Sequence, residues 1–532
     1  MSASGVGRVS IPVAARAERH AGAVSRDEVV IGVDLGTTST KAVAFDTGGR
    51  QLASASAGYP LAEPHPGWAE QDPAQILDAV LRTVAAVVSE VDGPVAGLSF
   101  SSAMHTLIGL DAAGDPLTPS LSWADSRATA QADRLRASPD GLGLHRRTGT
   151  PVHPMAPLPK LVWFREERPE LFARVACWAG IKDYVLARMC GALVTDQSVA
   201  SGTGLLDLGT LSWDAQALRL AGIGPERLPE LVRTTTVLPG LSAAVASRLG
   251  LPPGTPVVAG AGDGPLANLG LGAVHPGVAA CSIGTSGALR VTVERPGVDP
   301  DGGVFCYALT EHRWVVGGAI NNGGVVLHWA GKALAPDLGD QPAEALLDLA
   351  GRVPPGSGGL VMLPYLLGER APHWSGLPLG AYVGLTREHR REHLVRAAIE
   401  GVCLQLAQVL ESMRAAGNEV HEVRATGGFA RSPLWRQILA DALGLDVRFP
   451  AGHEGSGFGA ALLGMHALGL VESLDVAADL VRIEDTVRPE PSAAGVYAAL
   501  RPVFADLYDA LVPTFRSLRG LSRRLPLDQD PP

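Results

Sequence analysis

Val29-Val30-Ile31-Gly32-Val33-Asp34-Leu35-Gly36-Thr37-Thr38-Ser39-Thr40-Lys41-Ala42-Val43-Ala44-Phe45-Asp46 is the stretch from which the fold can be read. Val29 to Val33 is an apolar run of strand length. Gly36-Thr37-Thr38-Ser39 is a tight polar turn, and Thr40 to Asp46 returns as a second strand that stops at Thr47-Gly48-Gly49-Arg50. Structure therefore begins at Glu28. Upstream, residues 1–27 are rich in Ala, Arg, Ser and Gly with few large apolar side chains, and they lack the apolar core of a secretory signal. A disordered extension is expected there. Downstream, Asp72 to Val91 has helical periodicity, with Asp72 as N-cap and Pro73 at the first helical position. Val95 to Phe100 is a further apolar strand. A hairpin followed by alternating helix and strand argues for an α/β domain.

The pattern then restarts. Val278 to Ile283 reads as a strand, Gly284-Thr285-Ser286-Gly287 as a polar turn and Ala288 to Val293 as the return. This echo of the first hairpin suggests an internal repeat with a boundary near residue 270. The expected organisation is an N-terminal domain over 28–270, a C-terminal domain over 271–480, and a C-terminal helix and tail over 481–532. Helices are expected at Arg391–Ala416, Ser432–Leu443, Gly457–Leu468 and about Pro491–Leu518, with a Pro/Gly-rich loop at Gly351–Gly359 and a frayed end.

Composition narrows the function. The 532 residues, 46% hydrophobic and 18% charged, suffice for two large domains. A net charge of −10 disfavours a nucleic-acid partner. No run of about 20 apolar residues marks a membrane span. The 5 cysteines are scattered without metal-ligand spacing, which fits a reduced, cytoplasmic setting.

There is no GxxxxGK[ST] loop and no GxSxG elbow, which leaves P-loop kinases and α/β-hydrolases as poor candidates. Turns of Gly, Thr and Ser can still cradle phosphate through backbone N–H groups and hydroxyls. Asp34 to Lys41 fits that role: Thr37 and Thr38 would meet the γ- and β-phosphates, with Ser39 and Lys41 on the same turn. Asp34, at the end of a buried strand, would be compensated by a hydrated Mg2+. An ordinary hairpin with a turn-capping Asp is the equal alternative. Val257 to Pro265 runs an apolar strand into Gly260, Gly262 and a single carboxylate, Asp263, which could take a proton from a hydroxyl or merely close a glycine turn. Thr426-Gly427-Gly428-Phe429-Ala430-Arg431-Ser432 follows a strand and opens a helix. It suits a flat ligand or phosphate, or is a simple strand-to-helix turn.

Two longer segments carry a resemblance. Met155-Ala-Pro-Leu-Pro-Lys160-Leu-Val-Trp163-Phe-Arg-Glu-Glu167 resembles the first signature of the FGGY carbohydrate kinases. Gly380-Ala-Tyr-Val-Gly384-Leu385, with His393-Leu-Val-Arg-Ala397-Ala-Ile-Glu400 seven residues later, resembles the second. The resemblance implies two actin-like, ribonuclease H-like domains, with ATP and sugar in a cleft that closes and excludes water. It implies Asp263 as catalytic base and Asp34 on Mg2+ through water molecules. It places the phosphates at Thr37, Thr38, Gly284 and Thr285, and the adenosine near Gly427, Gly428 and Ser432, although the family often has Asn at the last position.

Within that family, Ser99 to Leu107, Ser122 to Ala128 and Thr148 to Ala156 resemble the gluconate-specific branch, as does Asn321-Asn322-Gly323-Gly324. Ala103 and Thr106 depart from the Gln and Gly more usual around the Met-His pair of xylulose kinases. Ser102, Met104, His105, Asp125 and Arg127 are the expected substrate contacts. Trp123 would pack on the carbon chain, and Arg127, His105 or His153 would meet a carboxylate. The implied reaction is ATP-dependent phosphorylation of a sugar acid, with xylulose or another pentulose as the alternative acceptor. An actin-like switch ATPase or chaperone is the competing class, but little chain remains after Leu470 for a peptide-binding domain. Asp34 and Asp263 together disfavour a catalytically dead sensor. Dimers are common among related kinases, so a homodimer is the expected assembly.

Overall fold

The structure, a computed structural model, describes residues 28–339, 342–452 and 455–522. The expectations for residues 1–27 and for the final tail lie outside the described residues.

Two sheets organise the chain. The first contains β1 (Val29–Leu35), β2 (Ser39–Asp46), β3 (Gln51–Gly58), β4 (Val95–Ser102) and β5 (Val257–Gly262), in the order β5-β4-β1-β2-β3. β1 pairs antiparallel with β2 and parallel with β4, and β4 pairs parallel with β5. The second contains β6 (Val278–Ile283), β7 (Gly287–Val293), β8 (Phe305–Thr310), β9 (Arg313–Ile320), β10 (Glu422–Thr426), β11 (Asp446–Pro450) and β12 (Ile483–Val487), in the order β8-β9-β7-β6-β10-β11-β12. Here β6 pairs antiparallel with β7 and parallel with β10, and β10 pairs parallel with β11. The hairpin echo is thus matched by a shared plan. In each sheet a central strand turns back on one side and takes parallel neighbours on the other.

Local sequence explains the elements that place the site. Asp72 caps α1 (Pro73–Glu90) by accepting from the Ala74 amide at 2.9 Å. The α1 face bearing Ile76, Val80, Val84 and Val87 is fully buried on the first sheet. α2 (Asp263–Gly270) begins directly at the end of β5. α3 (Arg391–Ala415) is, among the described residues, the one helix apolar and long enough to cross a membrane. It is a core helix instead: Val402, Leu406 and Leu410 are wholly buried in the C-terminal half. α4 (Pro433–Leu443) is capped by Ser432.

α5 (Gly455–Ala467) comes late in the chain but packs against the first sheet and α2. Glycines allow this close approach. A Cβ on Gly32 would lie 2.1 Å from the Gly457 oxygen, and one on Gly459 would lie 2.0 Å from the Leu266 oxygen. Phe45 and Phe458 meet across this junction with ring centroids 4.8 Å apart. The final helix, α6 (Pro491–Ser522), docks through Tyr497, whose hydroxyl donates to Glu400 at 2.7 Å. Glu400 also accepts from Arg396, Ser357 and the Gly356 amide. The second signature is therefore a buried bolt for the C-terminal half.

Candidate active site

The β1–β2 and β6–β7 turns open onto one cavity of about 330 Å3 between the halves. Thr37 lines it from the first turn, and Gly284 and Ser286 from the second. Asp263 and Gly264, at the start of α2, contribute to the same wall.

Asp263 is held there by β5. Gly260 has φ of +77°, and a Cβ on it would lie 1.7 Å from the Phe100 oxygen, so that position requires glycine. One Asp263 oxygen accepts from the Gly264 amide at 2.7 Å. Burial, and then the nearby Asp34 carboxylate, push the Asp263 pKa up to about 6. Arg290 and hydrogen bonds to the charged form oppose that rise. Asp34, at the end of β1, accepts from the Ser456 hydroxyl of α5 at 2.9 Å and so joins the two halves.

The first turn is braced. The Gly36 amide donates to Ser39, Tyr59 donates to the Gly36 oxygen at 2.6 Å, and Gln71 donates to the Thr37 oxygen at 2.6 Å. The Trp123 indole donates to the Thr37 hydroxyl at 2.8 Å. Thr38 is exposed on the turn, and Ser39 and Lys41 are partly buried on β2 beside it. In the second turn, Thr285 accepts from the Gly323 and Val325 amides. Gly427, at φ +113°, rests against Ile283, and Gly427 and Gly428 are exposed beside this turn. The Ser432 hydroxyl accepts from the Trp435 amide at 3.2 Å, so it already serves as a helix cap.

A second wall is built around Met104, His105 and Trp123, which all line the cavity. His105 Nδ1 lies 2.6 Å from the Gly202 oxygen, which fixes the proton on that nitrogen. Nε2 lies 3.4 Å from the Tyr307 hydroxyl. Burial lowers the His105 pKa to about 3, leaving a neutral ring. Lys160, from the first signature, donates to the carbonyls of His105, Ser122 and Met155 at 3.2, 2.6 and 2.8 Å. That signature therefore ties together the segments bearing His105 and Trp123 from behind.

Four expected substrate contacts do not line the cavity. Arg127 does not face the cavity. Its guanidinium is paired with Asp125 and Glu70 at 2.7 and 2.6 Å and lies 3.7 Å over the Trp68 ring. Asp125 is consumed by the same pair and by the Ala69 amide. The Ser102 hydroxyl donates to the adjacent Ala103 oxygen and is buried outside the cavity lining. His153 stands behind the wall. Its Nδ1 accepts from the Met155 amide, and its ring is edge-on to Trp374, which does line the cavity.

The cations on the cavity wall are Arg290 and Arg370, to which the sequence reasoning gave no role. Arg370 is locked by Asn321 at 2.7 Å and the Ile320 carbonyl at 3.1 Å, and lies 4.7 Å over Trp123. A signal for Arg290 was present, since it is the lone charge in the strand run from Ala288 to Val293.

Comparison with known proteins decides the family. The N-terminal domain model of the FGGY family of carbohydrate kinases matches residues 29–270, and its C-terminal domain model matches residues 279–468. The chain belongs to the FGGY carbohydrate kinases. A gluconokinase from Bacillus subtilis is 41% identical over 505 residues, covering 93% of this chain and 98% of that protein. A xylulose kinase from the same organism is 32% identical over 485 residues, covering 90% and 96%. The crystal structure of a gluconate kinase from Lactobacillus acidophilus superposes with a TM-score of 0.89 at 36% identity, covering 92% of this chain and 99% of that one. As an FGGY kinase, the protein is a phosphotransferase that uses ATP and a sugar hydroxyl, built on the two actin-like domains of that fold.

Proposed function

We propose that the protein transfers the γ-phosphoryl group of ATP to the 6-hydroxyl of D-gluconate. The observation that carries this is the charge of the acceptor cavity. Two guanidinium groups, Arg290 and Arg370, face a single carboxylate, Asp263, amid neutral His105 and Tyr307. A wall of that sign suits a sugar acid better than a neutral ketose. Similarity to the gluconokinases supports the same acceptor.

Asp263 is the proposed base that takes the proton of the attacking hydroxyl. Thr37, Thr38, Ser39 and Lys41 on one hairpin, and Gly284 and Thr285 on the other, are the proposed phosphate cradle. Gly427, Gly428 and Ser432 mark the adenosine side. Asp34 is the proposed partner of Mg2+. No cluster of three or more His, Cys, Asp or Glu that could hold a metal occurs among the described residues. The repulsion between Asp34 and Asp263 nevertheless suits a hard cation that keeps its water and takes phosphate oxygens. Bound there, Mg2+ would neutralise phosphate charge. The protein's own part is positioning and charge stabilisation.

A coupled assay of ADP release over gluconate, xylulose, ribulose, glycerol and fuculose tests the acceptor. Gluconate is expected to exceed xylulose in kcat/KM by at least about tenfold, the discrimination that a paired charge readily supplies. Equal or better turnover of xylulose would make this a pentulose kinase. The base makes a second prediction. It acts only when ionised, so kcat/KM should rise about tenfold per pH unit below pH 6 and level off above it, because its pKa is about 6. A profile flat from pH 5 to 8 would exclude Asp263 as the titrating base.

A further inference from the structure

We infer that Arg290 is the residue that binds the carboxylate of the acceptor and so selects an acidic polyol over a neutral one. The inference rests on the gluconate proposal and names the side chain that would enforce it.

The strand itself provides a ruler. β7 leaves the phosphate turn at Gly287, and Ser286, Gly287, Ala288 and Arg290 line the cavity, while Leu289 and Val291 are buried in the core. At about 3.3 Å per residue, the Arg290 Cα lies about 13 Å along the strand from Ser286. That spans a transferred phosphoryl group plus an extended six-carbon chain. The position between them is Ala288, which is small enough to leave room for that chain. Helix α2 fixes the far end, where Asn268 donates to the Arg290 carbonyl at 3.2 Å. From there the Arg290 side chain reaches back along α2, with Nε 3.4 Å from where a Gly264 Cβ would stand.

The guanidinium has no hydrogen-bond or ion-pair partner among the described residues. Arg370, by contrast, is held by Asn321 and Ile320, and Arg127 by Asp125 and Glu70. Asp263 acts on Arg290 through space, by charge alone. An arginine withdrawn into a cavity without a partner is suited to receive an anion that arrives with the ligand. A second carboxylate entering this cavity would be repelled by Asp263, and Arg290 offsets that repulsion at its own end of the cavity.

The test compares D-gluconate with D-glucitol, its neutral counterpart bearing CH2OH in place of the carboxylate, on wild type, Arg290→Met and Arg290→Lys. For Arg290→Met the KM for gluconate should rise about 100-fold, the scale of a lost charged hydrogen-bond pair, with kcat within about threefold. The KM for D-glucitol should be unchanged or lower. Arg290→Lys should recover part of the gluconate affinity. ADP affinity and melting temperature report whether each variant is folded. If Arg290→Met is unstable, the split must appear in Arg290→Lys alone. Equal loss of kcat on both acceptors would reassign Arg290 to the transferred phosphoryl group. An unchanged gluconate KM would remove it from the acceptor altogether. Both results overturn this inference while leaving gluconate as substrate. Wild type that turns over xylulose but not gluconate would instead overturn the substrate proposal, and this inference with it.

Discussion

Asp263→Asn is expected to lower kcat by about 10²–10⁴ while raising the melting temperature at pH 8. The loss is that of a general base in otherwise intact surroundings. The gain follows from the same burial that tunes the base. Asp263 has its pKa raised from 3.8 to about 6 in the folded protein, chiefly by desolvation and then by Asp34. A raised carboxylate favours folding while protonated, and loses that contribution as pH rises through its folded value. Above pH 6 the native state therefore carries an ionised Asp263 at a cost of about 3 kcal/mol relative to its unfolded reference. Asn keeps the shape without the charge. The melting-temperature difference should accordingly be largest near pH 8 and shrink toward zero by pH 4. Thermal scans across that range, run beside the ADP assay, check both halves. A variant that is inactive but no more stable at pH 8 would mean that Asp263 sits without strain. A variant with normal kcat would remove its catalytic role.

Lys182→Met should cost about 3–5 kcal/mol of stability, the penalty for leaving one member of a buried ion pair alone. Lys182 and Asp196 meet at 2.6 Å with both side chains fully buried. Lys182 also donates to the Ala261 carbonyl at 3.2 Å, two residues before Asp263. Asp196 caps the short helix Gln197–Ser201 through the Ser198 and Val199 amides. The Ser198 hydroxyl then accepts from the Gly262 amide at 3.1 Å, and the Gly202 carbonyl orients His105. Urea denaturation should show the loss as a lower midpoint. The double variant Lys182→Met/Asp196→Leu should recover much of it, because two apolar side chains leave no charge stranded. No loss in the single variant would show that water replaces the ammonium.

Much of this was legible in the chain. The hairpin turns, the Asp72 cap and the limits of α3 follow from local rules of periodicity and capping, and there the sequence acts over a few residues at a time. Asp34 and Asp263 stand out because each is a single carboxylate where an apolar strand ends, and Thr37 because it lies in the polar turn that follows. The acceptor contacts were harder. Arg127 lies two residues from Asp125 and stacks on Trp68, so its role is settled by a partner nearly sixty positions away. Arg370 enters the cavity from a connection that carries no periodicity, and Tyr307 from a strand whose alternation shows burial but not what it faces. Side chains that converge from distant segments leave no local trace of their convergence.

The meeting of α5 with β1 and α2 has a mechanical consequence. A Cβ on Gly270 would fall 1.7 Å from the Gly455 oxygen, and Gly32 and Gly459 sit just as tightly on opposing peptide groups. At these three glycines main chain rests on main chain, so any closure of one half on the other would move peptide group against peptide group there. Such a seam would behave as a bearing during closure. A single added methyl would act as a wedge in it, jamming the whole machine from a point that touches neither nucleotide nor sugar.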